Sequence, residues 1–275
     1  MKVFLPFRLV TAVARRFSAE RYAQTAASLS FSNLLGLVPL IAVGLALINR
    51  FPFAEGMSGA LEKFLLANLL PEKAGSIIAK YAFQFAHKAA HLTLIGAATL
   101  ATTALMQMLT IEHAFNAIWR VKEQRPMLRR IAMHLLALSL GPLLFGGSLA
   151  VIAYLSGVAY GLVDEPKWLD KLFFRVLPFF FMTALFALLY YAVPNRKVKR
   201  CHALAGGIFA TLGFLLMQRL FGAFIIALPA YTVVYGAFAA IPIFLVWLYL
   251  SWSVVLVGAL MVAELPFAAS KSLRV

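Results

Sequence analysis

Between Cys201 and Ala263 a single residue, Arg219, carries a full charge: residues 201–218 and 220–263 contain no Asp, Glu, Lys or Arg. Residues 22–49, 92–111, 131–163 and 176–195 are uncharged in the same way. A helix that crosses a bilayer needs roughly 20 predominantly apolar residues. The core helices of a soluble protein keep a polar stripe on their outer face, and these runs have none. A membrane β-barrel needs short alternating segments, and these runs do not alternate. The stretch 201–263 is too long for one span and too short for three, and residues 229–236 break it in two. The expected fold is therefore all-α. It is a polytopic membrane protein of six transmembrane helices, near 29–48, 92–111, 133–158, 174–193, 203–228 and 237–262, forming a single integral membrane domain over 1–275.

Composition enters through the charge. The net charge is +15, which in a soluble protein points to nucleic acid. Here its distribution along the chain decides. Sixteen of the 25 basic residues fall before span 1, between spans 2 and 3, between spans 4 and 5, and in the tail. Examples are Arg16, Arg120, Arg125, Arg196, Lys197 and Lys199. Six of the ten acids lie on the other side, in 50–91 and 159–173. By the positive-inside rule both termini are expected in the cytoplasm. The charge then reads as orientation, helped by anionic headgroups, and no nucleic-acid partner is needed. The first apolar run is too long and starts too far in for a cleaved signal peptide, so it reads as a signal anchor. Cys201 is the one cysteine, which excludes an internal disulfide.

Two regions read as amphipathic helices outside the spans. Residues 2–21 place Phe7, Val10, Ala14 and Phe17 on one stripe, with Arg8, Arg15 and Arg16 off it. This is the pattern of a helix lying in the cytoplasmic interface. Residues 50–91, the one long outer loop, carry helical periodicity twice, as does the short loop 159–173 with Trp168. In span 5, Gly206 with Ala210 and Ala203 with Gly207 form small-xxx-small pairs, which let helices pack closely.

Sites for chemistry are sparse. His87 and His91 are four apart, but no H-E-x-x-H accompanies them and no metal is expected. There is no P-loop and no G-x-S-x-G. A nuclease would need clustered carboxylates for metal ions. The only cluster, Asp164, Glu165 and Asp170, lies on the outer side. The chain is expected not to be an enzyme and to need no cofactor.

Polar residues at membrane depth stand out instead, because they are costly there. They are Asn33, Gln107, Glu112, Asn116, Gln218, Arg219 and Glu264. Together they are the candidate path-lining set. Glu112 and Asn116 share a helical face, as a helix-end polar patch or as a vestibule. Arg219 lies 16 residues beyond Ala203, about 24 Å up a helix and so in the outer third of the membrane. It either snorkels to headgroups or binds an anionic headgroup from within the bundle, where Gly222, Ala223 and Gln218 leave room.

Several stretches together resemble the YihY/BrkB family of bacterial inner-membrane proteins, formerly labelled ribonuclease BN. They are "AASLSFSNLLGLVPLIAV" (26–43), "ANLLPE" (67–72), "IEHAFNAIWR" (111–120), "LGPLLFGGSLA" (140–150), "VPNRKV" (193–198), "PAYTVVYGAFAAIPIFLVWLYLSW" (229–252) and "VVLVGA" (254–259). The resemblance covers nearly the whole chain. It implies a six-helix architecture and links to serum resistance and to lipid or lipopolysaccharide export. Family members often carry Glu directly after the Gly-Ala of the last span, where this chain has Leu260; a second family acid matches Glu264, and a basic residue commonly stands at the place of Arg219. The expected function is movement, or assistance in movement, of an anionic amphiphile or lipid across the inner membrane. The alternatives are a non-transporting scaffold for envelope assembly and, as a third reading, a membrane ribonuclease.

Overall fold

A computed structural model of the chain describes residues 4–48, 94–122, 125–126, 177–226 and 239–272. All the regular structure among them is helical. The elements are α1 Phe4–Ala19, α2 Tyr22–Ile48, α3 Leu94–Ile118, α4 Leu177–Ala192, α5 Arg200–Ile226 and α6 Ala240–Ser272. Long uncharged runs become helices because a helix satisfies every backbone N–H and C=O internally, the only unpaired-chain solution in hydrocarbon. Within the described residues, the runs expected near 29–48, 92–111, 174–193, 203–228 and 237–262 overlap α2 to α6. The span near 133–158 and the loops 50–91 and 159–173, with their amphipathic helices, lie outside the described residues. By length and composition, Arg200–Ile225 and Ala240–Phe267 are long and apolar enough to cross a membrane.

The last helix, α6, is the centre of the bundle and packs on α1, α2, α3 and α5, and α4 packs mainly on α5. An aromatic chain runs through the interior. Phe115 lies against Tyr190, Tyr190 against Phe186, Phe186 against Phe214, and Phe214 against Trp247, with ring centroids 5.7–6.5 Å apart. Tyr190 is fully enclosed, and its hydroxyl donates to the Val255 carbonyl at 3.0 Å. The small residues of α5 do what their spacing predicts. Ala203, Gly206, Gly207 and Ala210 are all buried, and a methyl group on Gly206 would overlap Val262 of α6. Outward, α5 shows Leu204, Ile208, Leu212, Leu216 and Leu220, all exposed. A continuous apolar face of this kind needs a nonaqueous neighbour, and a bilayer supplies one.

Two helix ends are unusual. At the end of α3 the Val121 N–H bonds to the Asn116 carbonyl and the Arg120 N–H to the Ala117 carbonyl. This pair of bonds is a Schellman motif, but its left-handed residue is Arg120 (φ 52°) and not glycine. Arg21 (φ 56°), between α1 and α2, is left-handed too. A residue with a Cβ in this conformation costs about 1–2 kcal/mol, so surrounding contacts must hold both in place.

In α1 one apolar stripe faces the bundle and another faces away from it. Val13 is buried and Leu9 and Phe17 pack on the core, whereas Val10 is 63% exposed. The stripe turned to the bundle is therefore Leu9, Val13 and Phe17. Arg16, expected off the apolar stripe, sits on the bundle side because partners await it there. The end of span 2 differs. The α3 helix continues seven residues past 111, to Ile118, and Glu112 and Asn116 share a face of its last turns, as their spacing of four implies.

Candidate functional site

The ends of α1, α3 and α6 meet at one end of the bundle. There Arg16 is held on all sides. Its Nε and Nη2 donate to the two carboxylate oxygens of Glu20 at 2.9 and 3.1 Å. Its Nη1 donates to Glu264 of α6 at 2.8 Å, and Nη2 also reaches the Ile118 carbonyl at the end of α3 at 3.0 Å. Glu20 in turn accepts from the Tyr22 hydroxyl at 2.9 Å and from Arg120 at 2.8 Å. One guanidinium thus ties α1 to α3 and α6, and the strained backbone at Arg120 aims its side chain back onto Glu20. The bonds from Arg16 hold the Glu20 carboxyl down at about 2.

A second fastening lies between α4 and α5. Arg125 donates to the carbonyls of Ala192 (3.2 Å), Val193 (3.4 Å) and Pro194 (3.0 Å), and to Asn195 Oδ1 at 3.0 Å. A cation there satisfies carbonyls that a helix end leaves open and suits its negative pole. Asn116 accepts from the Asn195 backbone N–H at 2.8 Å. The turn 193–199 is thereby pinned twice, by Asn116 of α3 and by Arg125.

Between these fastenings lies a cavity of about 600 Å³. Arg16 and Arg120 line it from one side, and Arg196, Lys197 and Lys199 from the pinned turn. His202, Trp119 and Glu264 complete the polar wall, and Pro266 and Phe267 of α6 form an apolar rim. Phe267 is 62% exposed. Five permanent cations face two carboxylates, Glu264 in the wall and Glu20 behind it, and both carboxylates are already bonded to arginine. Chemically, this is a place for an anion.

The sequence candidates fall into four places. Gln107 is buried against α2, beside the Asn33 side chain. With its amide nitrogen turned to Ser32 it donates to the Ser32 carbonyl at 2.8 Å and accepts from the Asn33 N–H at 3.2 Å. Gly36 makes room for it, since a Cβ there would lie 2.9 Å from the end of the Gln107 side chain. Glu112, 1% exposed, and Asn116 are buried on another face of α3, with Asn116 Nδ2 to Glu112 Oε1 at 3.5 Å. Glu264 belongs to the basic cavity. Arg219 stands apart from all of these, exposed on α5 between Leu216 and Leu220, with Gln218 half-buried beside it. Gly222 leaves open space there: nothing lies within 4 Å of where its Cβ would be. Among the described residues no three His, Cys, Asp or Glu side chains come together in a way that could hold a metal ion.

No motif along the chain singles out the Arg16 cluster or the cavity. The one local signal is the Arg16–Glu20 spacing of four residues, which pairs opposite charges on a helix. The basic residues of the 193–199 turn carry no signal along the chain beyond their orientation charge.

Comparison with known proteins agrees with this helical, membrane-facing architecture. A UPF0761 membrane protein of Aromatoleum aromaticum is 51% identical over 261 residues, 94% of this chain and 64% of that protein. One of Azoarcus sp. is 51% identical over 254 residues, 92% of this chain and 62% of that protein. One of Nitrosospira multiformis is 43% identical over 265 residues, 96% of this chain and 62% of that protein. The chain thus spans a little under two thirds of the length of these curated relatives. No solved structure matches it. The family described as Virulence factor BrkB matches residues 13–273, and with relatives that are membrane proteins over nearly its full length, this chain is a membrane protein of the BrkB family.

Proposed function

We propose that the chain is a six-span protein of the bacterial cytoplasmic membrane that moves, or helps to move, an anionic amphiphile such as a lipid. The observation that carries this reading is the cationic cavity at the end of the bundle, rimmed by apolar residues of a helix long enough to span the membrane. An anionic head with an apolar tail matches that juxtaposition of charge and grease. Buried Glu112, Asn116 and Gln107 add polar groups to the interior of the same bundle. The chain would act without nucleotide hydrolysis of its own, as a passive or gradient-driven carrier or as an accessory to another machine, and it would not be an enzyme.

The test is flux. Purified chain in liposomes should speed the passage of a labelled anionic lipid between leaflets relative to empty liposomes. Joint replacement Arg196→Gln, Lys197→Gln and Lys199→Gln should slow it at least several-fold. Flux no faster than in empty liposomes would leave the scaffold reading standing. The same preparation should leave RNA intact, with or without divalent metal.

The reading also places the basic end in the cytoplasm. Cys201 is exposed there, so a membrane-impermeant maleimide should label it in inverted vesicles and not in intact spheroplasts. The opposite pattern would reverse the orientation.

A further inference from the structure

We infer that the basic cavity is a site for a phosphate monoester headgroup, a dianion, in preference to the phosphodiester headgroups of ordinary anionic lipids. The inference rests on the proposed handling of an anionic amphiphile and names the chemistry of its head.

Charge is the first argument. Of the five cations around the cavity, Arg16 is fully occupied by Glu20, Glu264 and a carbonyl, and Arg120 is bonded to Glu20. The five cations and two carboxylates leave an excess of three positive charges. That excess sits on Arg196, Lys197 and Lys199, all exposed and all on one turn. A phosphodiester carries one negative charge and leaves most of this excess in place. A monoester carries about −1.5 to −2 at pH 7 and three strong acceptor oxygens, which matches it far better.

Position is the second argument. The three cations are not on a loose loop, because Arg125 and Asn116 fasten the turn that bears them. A site assembled before the ligand arrives loses less on binding. The third argument is the start of α5. The Ala203 N–H bonds to the Lys199 carbonyl, which makes Lys199 the cap residue of this 27-residue helix. Lysine has no side-chain acceptor, so the cap residue itself leaves the first-turn N–H groups available. Those donors and the positive pole of the helix stand beside a cavity that His202, in that first turn, helps to line. Such donors bind phosphate oxygens well, and here they add to a cationic wall already built. The exposed ring of Phe267 at the rim gives the glycerol or acyl end of a lipid an apolar surface.

The experiment uses the full chain in phosphatidylcholine nanodiscs, with calorimetric titration of three probes at physiological ionic strength. The probes are short-chain phosphatidic acid, short-chain phosphatidylglycerol and inorganic phosphate. Phosphatidic acid should bind about tenfold more tightly than phosphatidylglycerol, as the added charge near several cations implies. The Arg196→Gln, Lys197→Gln, Lys199→Gln protein should lose that preference while keeping the thermal unfolding of the parent, since these side chains are exposed. Equal affinity for the two lipids, or a preference that survives the triple replacement, overturns the assignment. Inorganic phosphate binding as tightly as phosphatidic acid overturns the lipid as source of the group and assigns the site to a soluble phosphate. Lipid flux without a monoester preference sinks this inference and leaves the proposed function. Monoester preference without flux does the reverse.

Discussion

Arg16→Ala should release α1 from the bundle. The substitution removes two bonds to Glu20, one to Glu264 and one to the Ile118 carbonyl. Glu264 and Ile118 then keep half-buried acceptors with no donor in place. Removing one partner of a charge-assisted bond costs more than the bond is worth net, because the other partner stays desolvated. The expected loss is about 3 kcal/mol, read as a fall in the thermal unfolding midpoint in detergent. Trypsin should also cut faster after Arg21, the left-handed residue at the freed turn. Arg16→Lys keeps the charge but not the fork that reaches Glu20 and Glu264 together, so it should fall between the two. An unchanged midpoint for Arg16→Ala would show that α1 is held by Leu9, Val13 and Phe17 alone. Acid should act in the same direction. Glu20 ordinarily titrates near 4.5 and is held at about 2 by Arg16. Its share of stability is complete above the ordinary value and drains away as the pH falls from there through about 2.

Gly207→Leu should prevent α4 and α5 from packing, and even Gly207→Ala should be costly. A Cβ at this position would lie 2.6 Å from the Thr183 carbonyl oxygen and 2.9 Å from the Ala187 nitrogen, both backbone atoms of α4. Backbone cannot turn aside as a side-chain tip can, so the helices themselves must separate. Overpacking of this kind costs about 1–3 kcal/mol for one methyl group. The Thr183–Thr211 hydrogen bond between the same helices, 3.1 Å long, would stretch with them. Gly222 on the same helix is the control. Its Cβ would meet nothing within 4 Å, so Gly222→Ala should be neutral or raise stability by up to about 1 kcal/mol through helix propensity. Equal midpoints for the alanine variants at 207 and 222 would contradict the close approach of α4 and α5.

Much of this architecture is legible without coordinates, and for a simple reason. In hydrocarbon a helix is complete in its own hydrogen bonds, so a long uncharged run is enough to specify one. The positions of α2, α4, α5 and α6 follow from such runs. The small pairs Ala203–Gly207 and Gly206–Ala210 also announce a tight helix contact, because a missing side chain has the same consequence whichever helix arrives. Glu112 and Asn116 were legible as polar residues out of place. The point at which α3 stops beyond them was not, since that stop is a left-handed arginine and not the glycine that usually marks one.

What the sequence by itself determined is therefore the list of elements: apolar helices, a basic set of connections, and an amphipathic lead. What only the tertiary structure decided is which charges meet. Arg16 and Glu264 are 248 residues apart, and no periodicity links them. Their pairing depends on α1 lying along α6, and that same contact turns Leu9 and Val13 inward and leaves Val10 outside. The candidate polar set divides for a similar reason. Rotation along α3 sends Gln107 to Asn33 on α2 and Asn116 to the 193–199 turn, while the packing of α5 leaves Arg219 on an exposed face. Helix formation is local and can be read along the chain. The partner of a charge is set by which helices lie side by side and how each is rotated, and packing alone supplies that.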